Sequence, residues 1–226
     1  MEQLKENTCT MNAHHLTVPR TARYYSLGTA SESIKDLWIV CHGYGQLARY
    51  FLRHFQVLDN GATLVVAPEA LSRFYLDGFS GRVGATWMTK EDRLSEIDDQ
   101  AAYLNLLLKE QLKQVPEDVR VTVLGFSQGG ATVSRWIATE KPQIHRLILW
   151  AASFPEDIDF TTSKAAFEDL PVGMVYGNQD EFITPEALDR KKQLMAQLNI
   201  VPAVHTFDGG HTIHGETLQL IDESLA

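Results

Sequence analysis

The sequence is poor in cysteine, in long apolar runs and in clustered basic residues, and each shortage closes off a class of protein. Two cysteines occur in 226 residues. Cys9 lies in a polar N-terminal segment and Cys41 ends an apolar run, so neither a disulfide framework nor a four-ligand zinc site is encoded. No stretch of about 18 apolar residues is present, as a membrane-spanning helix would require, and no integral membrane association is expected. The opening residues, Met1-Glu-Gln-Leu-Lys-Glu-Asn7, carry charges and amides where a secretory signal needs an apolar stretch, which points to a cytoplasmic protein. Lys and Arg number 20 against 29 Asp and Glu, a formal charge of −9. No segment concentrates the bases enough to offset that field, so nucleic acid is not an expected partner. A small molecule is, and homodimerisation is left open.

What the sequence does have is enough apolar residues, 44%, for one continuous core, so a single domain over residues 1–226 is expected, with 1–12 as a disordered N-terminus. From residue 36 onward, short runs rich in Val, Ile and Leu alternate with longer helical patterns, the signature of an α/β fold with a mostly parallel sheet flanked by helices. Strands are expected at Leu37 to Cys41, Thr63 to Ala67, Val119 to Leu124, Arg146 to Trp150, Val172 to Tyr176 and Ala203 to Phe207. His14 to Pro19 and Arg23 to Leu27 are expected to form an antiparallel edge hairpin. Ile97, Ala101, Leu104 and Leu108 share one face of a helix running from about Asp92 to Lys113. A second helix should start at Pro185 under a Thr184 cap and end near Asn199. Pro68 to Lys90 and Ser153 to Pro171 show no regular pattern, and loops of that length are expected to cover a site.

The chemistry-bearing residues fall at strand ends. Gly125-Phe-Ser-Gln-Gly129 follows a β-branched strand and precedes a helix, as a nucleophile elbow requires, with Ser127 at the tip of the turn. A serine hydroxyl needs a base to take its proton, and a histidine base needs an acid to fix its tautomer and stabilise the imidazolium. Asp180 follows the strand ending at Tyr176, and His211 follows the strand ending at Phe207. Glu181 and Asp208 compete for the acid, and His214 for the base. The order Ser, Asp, His is the one used by α/β-hydrolases. Two donors must face the developing oxyanion, and the expected pair is the backbone N–H of Gln128 and, from His42-Gly-Tyr-Gly45, that of Tyr44. His211-x-x-His214 lacks a third ligand, so no metal is expected. Tyr44, Phe74, Tyr75, Trp87 and Phe182 are expected to line an apolar acyl pocket. His14, His15, His54, His145 and His205 receive no role.

Together, Cys41-His-Gly-Tyr-Gly45, Gly125-Phe-Ser-Gln-Gly-Gly130, Gly177-Asn-Gln-Asp180 and Gly210-His211 resemble the phospholipase/carboxylesterase family of α/β-hydrolases, which includes the acyl-protein thioesterases. The resemblance spans residues 36 to 220. It implies a small serine esterase without cap domain or cofactor, hydrolysing short to medium acyl esters, thioesters or lysophospholipids. The family usually places Trp, an aromatic and an acid where this chain has Trp87-Met88-Thr89, so a different pocket wall is expected. Two other readings stay open: a dienelactone-hydrolase-like lactonase, which typically has cysteine at the Ser127 position, and a ligand-binding homologue that keeps the triad without turning over.

Overall fold

The apolar runs form strands because Val, Ile and Leu pack well on a sheet that is covered on both faces. A computed structural model describes residues 11–224. The strands are β1 (Tyr24–Leu27), β2 (Asp36–Cys41), β3 (Thr63–Pro68), β4 (Ser72–Asp77), β5 (Ser80–Thr86), β6 (Arg120–Phe126), β7 (Arg146–Trp150), β8 (Val172–Gly177) and β9 (Ala203–Phe207). Seven of them form one sheet in the order β1-β3-β2-β6-β7-β8-β9. Every pairing in it is parallel except β1 against β3.

The helices are α1 (Ala48–Phe51), which runs into a 3₁₀ turn at Leu52–Leu58, then α2 (Arg93–Leu112), α3 (Gln128–Glu140), α4 (Lys164–Phe167), α5 (Pro185–Gln197) and α6 (Gly215–Ser224). Side chains alternate across the sheet and so build two cores. Leu37, Ile39 and Cys41 of β2 face the cluster that contains Leu104, Trp136 and Leu194 from α2, α3 and α5. Trp38 and Val40 face the opposite cluster, with Phe51, Phe55, Leu218 and Ile221 from α1, the 3₁₀ turn and α6. On α2, Ala101, Leu104 and Leu108 are buried and Ile97 is half-buried, as their spacing requires. Thr184 Oγ1 accepts the Ala187 N–H at 3.2 Å and caps α5, which begins at Pro185.

Two expectations are corrected. Residues 14–19 form no strand and are exposed, and β1 pairs instead with β3, from Tyr24↔Pro68 to Leu27↔Val65. An edge of β3 buried from Thr63 to Pro68 offers β1 more than a polar neighbour ending in proline could. The stretch Pro68 to Lys90 is not irregular, because β4 and β5 form an antiparallel hairpin in which Asp77 pairs with Ser80 across a two-residue turn at Gly78-Phe79. Glycine at the first central position of a two-residue turn is a local hairpin signal, and Gly78 holds φ 64° there. Ser153 to Pro171 contains only the short α4. The expectation for residues 1–12 lies outside the described residues except at Met11 and Asn12, which are exposed and without regular structure.

This topology positions the site. From β2 the chain steps outward to β3, while β6 occupies the other flank of β2, so strand order reverses there and the loops after β2 and β6 open a crevice between them. The pairing of Cys41 with Gly125 puts both loops at the same level of the C-terminal sheet edge.

Candidate active site

Ser127 stands between the end of β6 and the start of α3 with φ 52° and ψ −116°. A non-glycine residue in such a conformation stores roughly 1–3 kcal/mol and persists only where its surroundings dictate it. Here the Ser127 N–H donates to Trp150 O at 3.0 Å, and the Gly130 N–H donates to Ser127 O at 3.1 Å. Gly129 permits the turn sterically, since a Cβ there would overlap the carbonyl oxygens of Cys41 and His42. Only a hydrogen lets the first turn of α3 lie on the loop after β2.

The acid and the base are brought together by a second close approach. A Cβ on Gly177 would overlap the Gly209 carbonyl, so glycine lets the β8 and β9 loops touch. The contact is fixed by the Asn178 N–H on Phe207 O and the Gln179 N–H on Gly209 O, both at 2.9 Å. Across it, His211 Nδ1 lies 2.8 Å from Asp180 Oδ2. Asp180 is buried, and its other oxygen accepts the Phe182 N–H at 3.0 Å. A carboxylate accepts here, so Nδ1 carries the proton and Nε2 is left free. The imidazole is wedged between Phe126 and Phe182, each ring centroid 4.9 Å away.

The competing residues are engaged elsewhere. Asp208 accepts from Gln179 Nε2 at 2.6 Å, His214 Nδ1 pairs with Thr217 Oγ1 at 2.9 Å, and Glu181 is exposed. Ser127 and His211 line the same cavity without a hydrogen bond between them. Such contacts commonly tighten only when substrate is bound.

The backbone N–H groups of Tyr44 and Gln128 have no acceptor among the described residues. Both residues line the cavity beside Ser127. The loop that carries Tyr44 is held from several sides. Gln46 Oε1 accepts the Gly43 N–H at 2.8 Å, and the Gly45 N–H donates to Ala85 O of β5 at 2.9 Å. The Gln128 side chain accepts the Trp87 N–H at 3.1 Å and donates to Met88 O at 2.9 Å, while Trp87 Nε1–H donates to His42 O at 2.8 Å. Trp87 and Met88 therefore brace the two donor loops, and none of Trp87, Met88 and Thr89 lines the cavity.

His42 completes this brace, a role its sequence position did not reveal. It is fully buried, with Nδ1 donating to Gly43 O at 2.7 Å and Nε2 accepting the Ala70 N–H at 3.1 Å. That pair of bonds fits only the neutral ring. Burial pushes its pKa down to about 4, against upward pulls from the Gly43 bond and Glu69. An unfolded chain takes up this proton near pH 6.5, roughly the free-histidine value. The stability His42 contributes is thus complete above that pH and is lost as pH falls from there through about 4. The loss approaches about 3 kcal/mol. Urea unfolding at pH 7 and pH 4.5 should show a pH dependence shallower by about 2 kcal/mol in His42→Gln than in the wild type. Equal slopes would assign the titration to another group.

The cavity around Ser127 has a volume of about 660 Å³. Of the five aromatic residues expected to line it, Tyr44 and Phe182 do. Phe74 packs against Tyr44 with the rings tilted and their centroids 5.3 Å apart, Tyr75 is exposed on the hairpin, and Trp87 is buried in the brace. The wall also includes Phe126, Ala151, Ala152, Phe154 and Glu156, together with the face of α5 formed by Ala187, Arg190, Lys191 and Leu194. That face has i, i+3, i+4, i+7 spacing, a signal present in the sequence once α5 is known to follow the Asp180 loop.

A mostly parallel sheet covered on both faces, with serine, acid and histidine on separate loops at its C-terminal edge, defines an α/β-hydrolase. The sequence model of the phospholipase/carboxylesterase family matches residues 27–226, and the chain belongs to that family of hydrolases. Among solved structures, it is similar to esterase PE8 at 21% identity and TM-score 0.69, covering 92% of this chain and 100% of that one. It is also similar to Zea mays acyl-protein thioesterase 2, at 19% identity and TM-score 0.65, covering 91% and 98%. A third is a phospholipase/carboxylesterase from Dyadobacter fermentans DSM 18053, at 18% identity and TM-score 0.66, covering 92% and 98%. Similarity at these identities speaks for the fold. No curated protein matches the chain. Among the described residues, no helix is long and apolar enough to cross a membrane.

Proposed function

We propose that this chain is a serine carboxylesterase that hydrolyses small acyl esters or thioesters through an acyl-enzyme. The observation that carries the reading is the 2.8 Å bond from His211 Nδ1 to buried Asp180, beside a Ser127 held in an elbow that opens on the same cavity. In this reading Ser127 Oγ attacks the carbonyl carbon while His211 Nε2 takes the hydroxyl proton. The Tyr44 and Gln128 amides donate to the oxyanion, commonly worth about 3 kcal/mol of transition-state stabilisation each. Collapse breaks the bond to the alcohol or thiol, which leaves with the proton from His211. Water then attacks the acyl-enzyme by the same steps and frees the acid and Ser127.

Fluorophosphonate labelling with parallel p-nitrophenyl butyrate hydrolysis tests this. Labelling at Ser127 with sustained turnover is expected. Labelling that stalls after one equivalent would favour the ligand-binding reading, and no labelling would overturn both. Serine at position 127, where the lactonases typically have cysteine, favours the esterase.

The cavity also supports a preference in acyl length, since its wall is largely aromatic and aliphatic while its volume, about 660 Å³, is bounded. Across p-nitrophenyl esters from acetyl to octanoyl, kcat/KM should rise several-fold with the first added methylenes and then level or fall. A flat series would mean that the acyl chain lies outside this cavity.

A further inference from the structure

Among the described residues, Lys191 is the one lysine in the cavity wall, and its ammonium has no direct partner. It sits on the cavity face of α5 between Ala187 and Leu194 and is only 5% exposed. Lysine is almost never buried without a partner, because removing an ammonium from water is costly unless another charge or several acceptors replace the water. Among the described residues, its Nζ makes no hydrogen bond and no ion pair. Of the neighbouring charges, one is matched and the other acts only at a distance. Arg190 donates from Nε and Nη2 to the two oxygens of Glu156, both at 3.0 Å, so that pair contributes no net charge to the wall. Asp180 attracts Lys191 only through space, and its two oxygens are taken by His211 and the Phe182 N–H. Burial lowers the Lys191 pKa to about 8, which leaves the ammonium charged at neutral pH. A protein of formal charge −9 thus keeps an unpaired cation in the wall of its catalytic cavity.

We propose that Lys191 is the recognition site for a carboxylate carried by the substrate, so that the preferred ester or thioester is an anionic one, a half-ester of a dicarboxylic acid or an ester of a carboxylate-bearing alcohol or phenol. The inference rests on the esterase reading and narrows its substrate class. The carboxylate replaces the water that the ammonium gives up on burial, and a charge-assisted hydrogen bond in a largely apolar cavity is strong. A neutral ester of the same shape leaves the cation unmatched, so the discrimination works by penalty as well as by attraction.

Two matched substrate pairs separate the possible positions of the charge. On the acyl side, the 4-methylumbelliferyl half-ester of glutaric acid is compared with the pentanoate ester. On the leaving-group side, 4-carboxyphenyl acetate is compared with phenyl acetate. In one pair, the anionic-to-neutral ratio of kcat/KM is expected to fall roughly ten- to a hundredfold in Lys191→Met and to be largely kept in Lys191→Arg. The pair that responds locates the carboxylate. Ratios unchanged in both pairs would overturn the proposal, as would equal losses on both members of each pair. Lys191→Gln, which keeps a polar side chain of similar reach, is measured beside the methionine variant in case the latter does not fold. Inhibition of wild-type pentanoate hydrolysis by free glutarate, but not by dimethyl glutarate, is expected without any variant, and equal inhibition by the two would count against the site. Neutral-ester turnover with Ser127 labelling but no charge discrimination sinks the Lys191 site alone, whereas absence of labelling sinks the esterase reading and this inference with it.

Discussion

Replacing Ser127 with alanine is expected to lower kcat on p-nitrophenyl butyrate by roughly 10⁴- to 10⁶-fold and to abolish fluorophosphonate labelling. The size of the effect follows from what survives the substitution. The Tyr44 and Gln128 amides and the cavity wall remain, so an oxyanion is still stabilised, but no hydroxyl is left for His211 to deprotonate. The fold should be nearly indifferent. Ser127 holds φ 52° through its backbone bonds to Trp150 and Gly130, and its side chain makes no hydrogen bond among the described residues. Thermal unfolding of Ser127→Ala should therefore stay within a few degrees of the wild type, an effect below about 1 kcal/mol. A variant that keeps more than a hundredth of wild-type turnover would show that another group performs the attack.

The second large effect is expected at Asp180. Asp180→Asn preserves size and shape, yet it should lower kcat by roughly 10³- to 10⁴-fold. The carboxylate accepts two hydrogen bonds, from the Phe182 N–H and from His211 Nδ1–H. An asparagine oriented to accept the Phe182 N–H presents its NH₂ to the imidazole, which must then offer Nδ1 as an acceptor and carry its proton on Nε2. In that tautomer the ring has no lone pair facing the cavity to receive the Ser127 proton. The carboxylate also stabilises the imidazolium that forms during the reaction, and asparagine removes that charge. Because ground-state binding does not pass through Asp180, KM should change far less than kcat. A loss confined to KM would assign Asp180 to the substrate pocket.

Two glycine-dependent contacts and one side-chain tie converge on these predictions. Gly129 lets α3 lie against the loop after β2, Gly177 lets the acid and base loops touch, and the Gln128 side chain ties the elbow to Trp87 and through it to His42. The candidate catalytic groups thus sit on loops that are cross-linked to one another as well as to the sheet, which favours the fixed geometry that the proposed acyl transfer needs.

The sequence by itself determined whatever depends on local period and turn chemistry. The six parallel strands were legible because each is a β-branched or aliphatic run bounded by turn residues, and α2 and α5 because their apolar spacing and caps are local. Ser127, Asp180 and His211 were legible as candidates because each follows such a strand. The β4–β5 hairpin departs from the expectation although Gly78 at its turn is a local signal, and the pairing of β1 with β3 could not be read, since a strand carries no local record of its distant partner. Only the tertiary structure decided between Asp180 and its competitors Glu181 and Asp208, because that choice rests on which carboxylate the contact at Gly177 places 2.8 Å from His211. The structure also divided the aromatic residues, sending Tyr44 and Phe182 to the cavity and Trp87 to the brace. Lys191 is the clearest case. In the sequence it is one charge in the run Arg190-Lys-Lys192 on a polar helix, and its significance appears only when α5 docks and shuts that ammonium into the cavity wall without a partner, since burial and pairing are properties of what surrounds a residue.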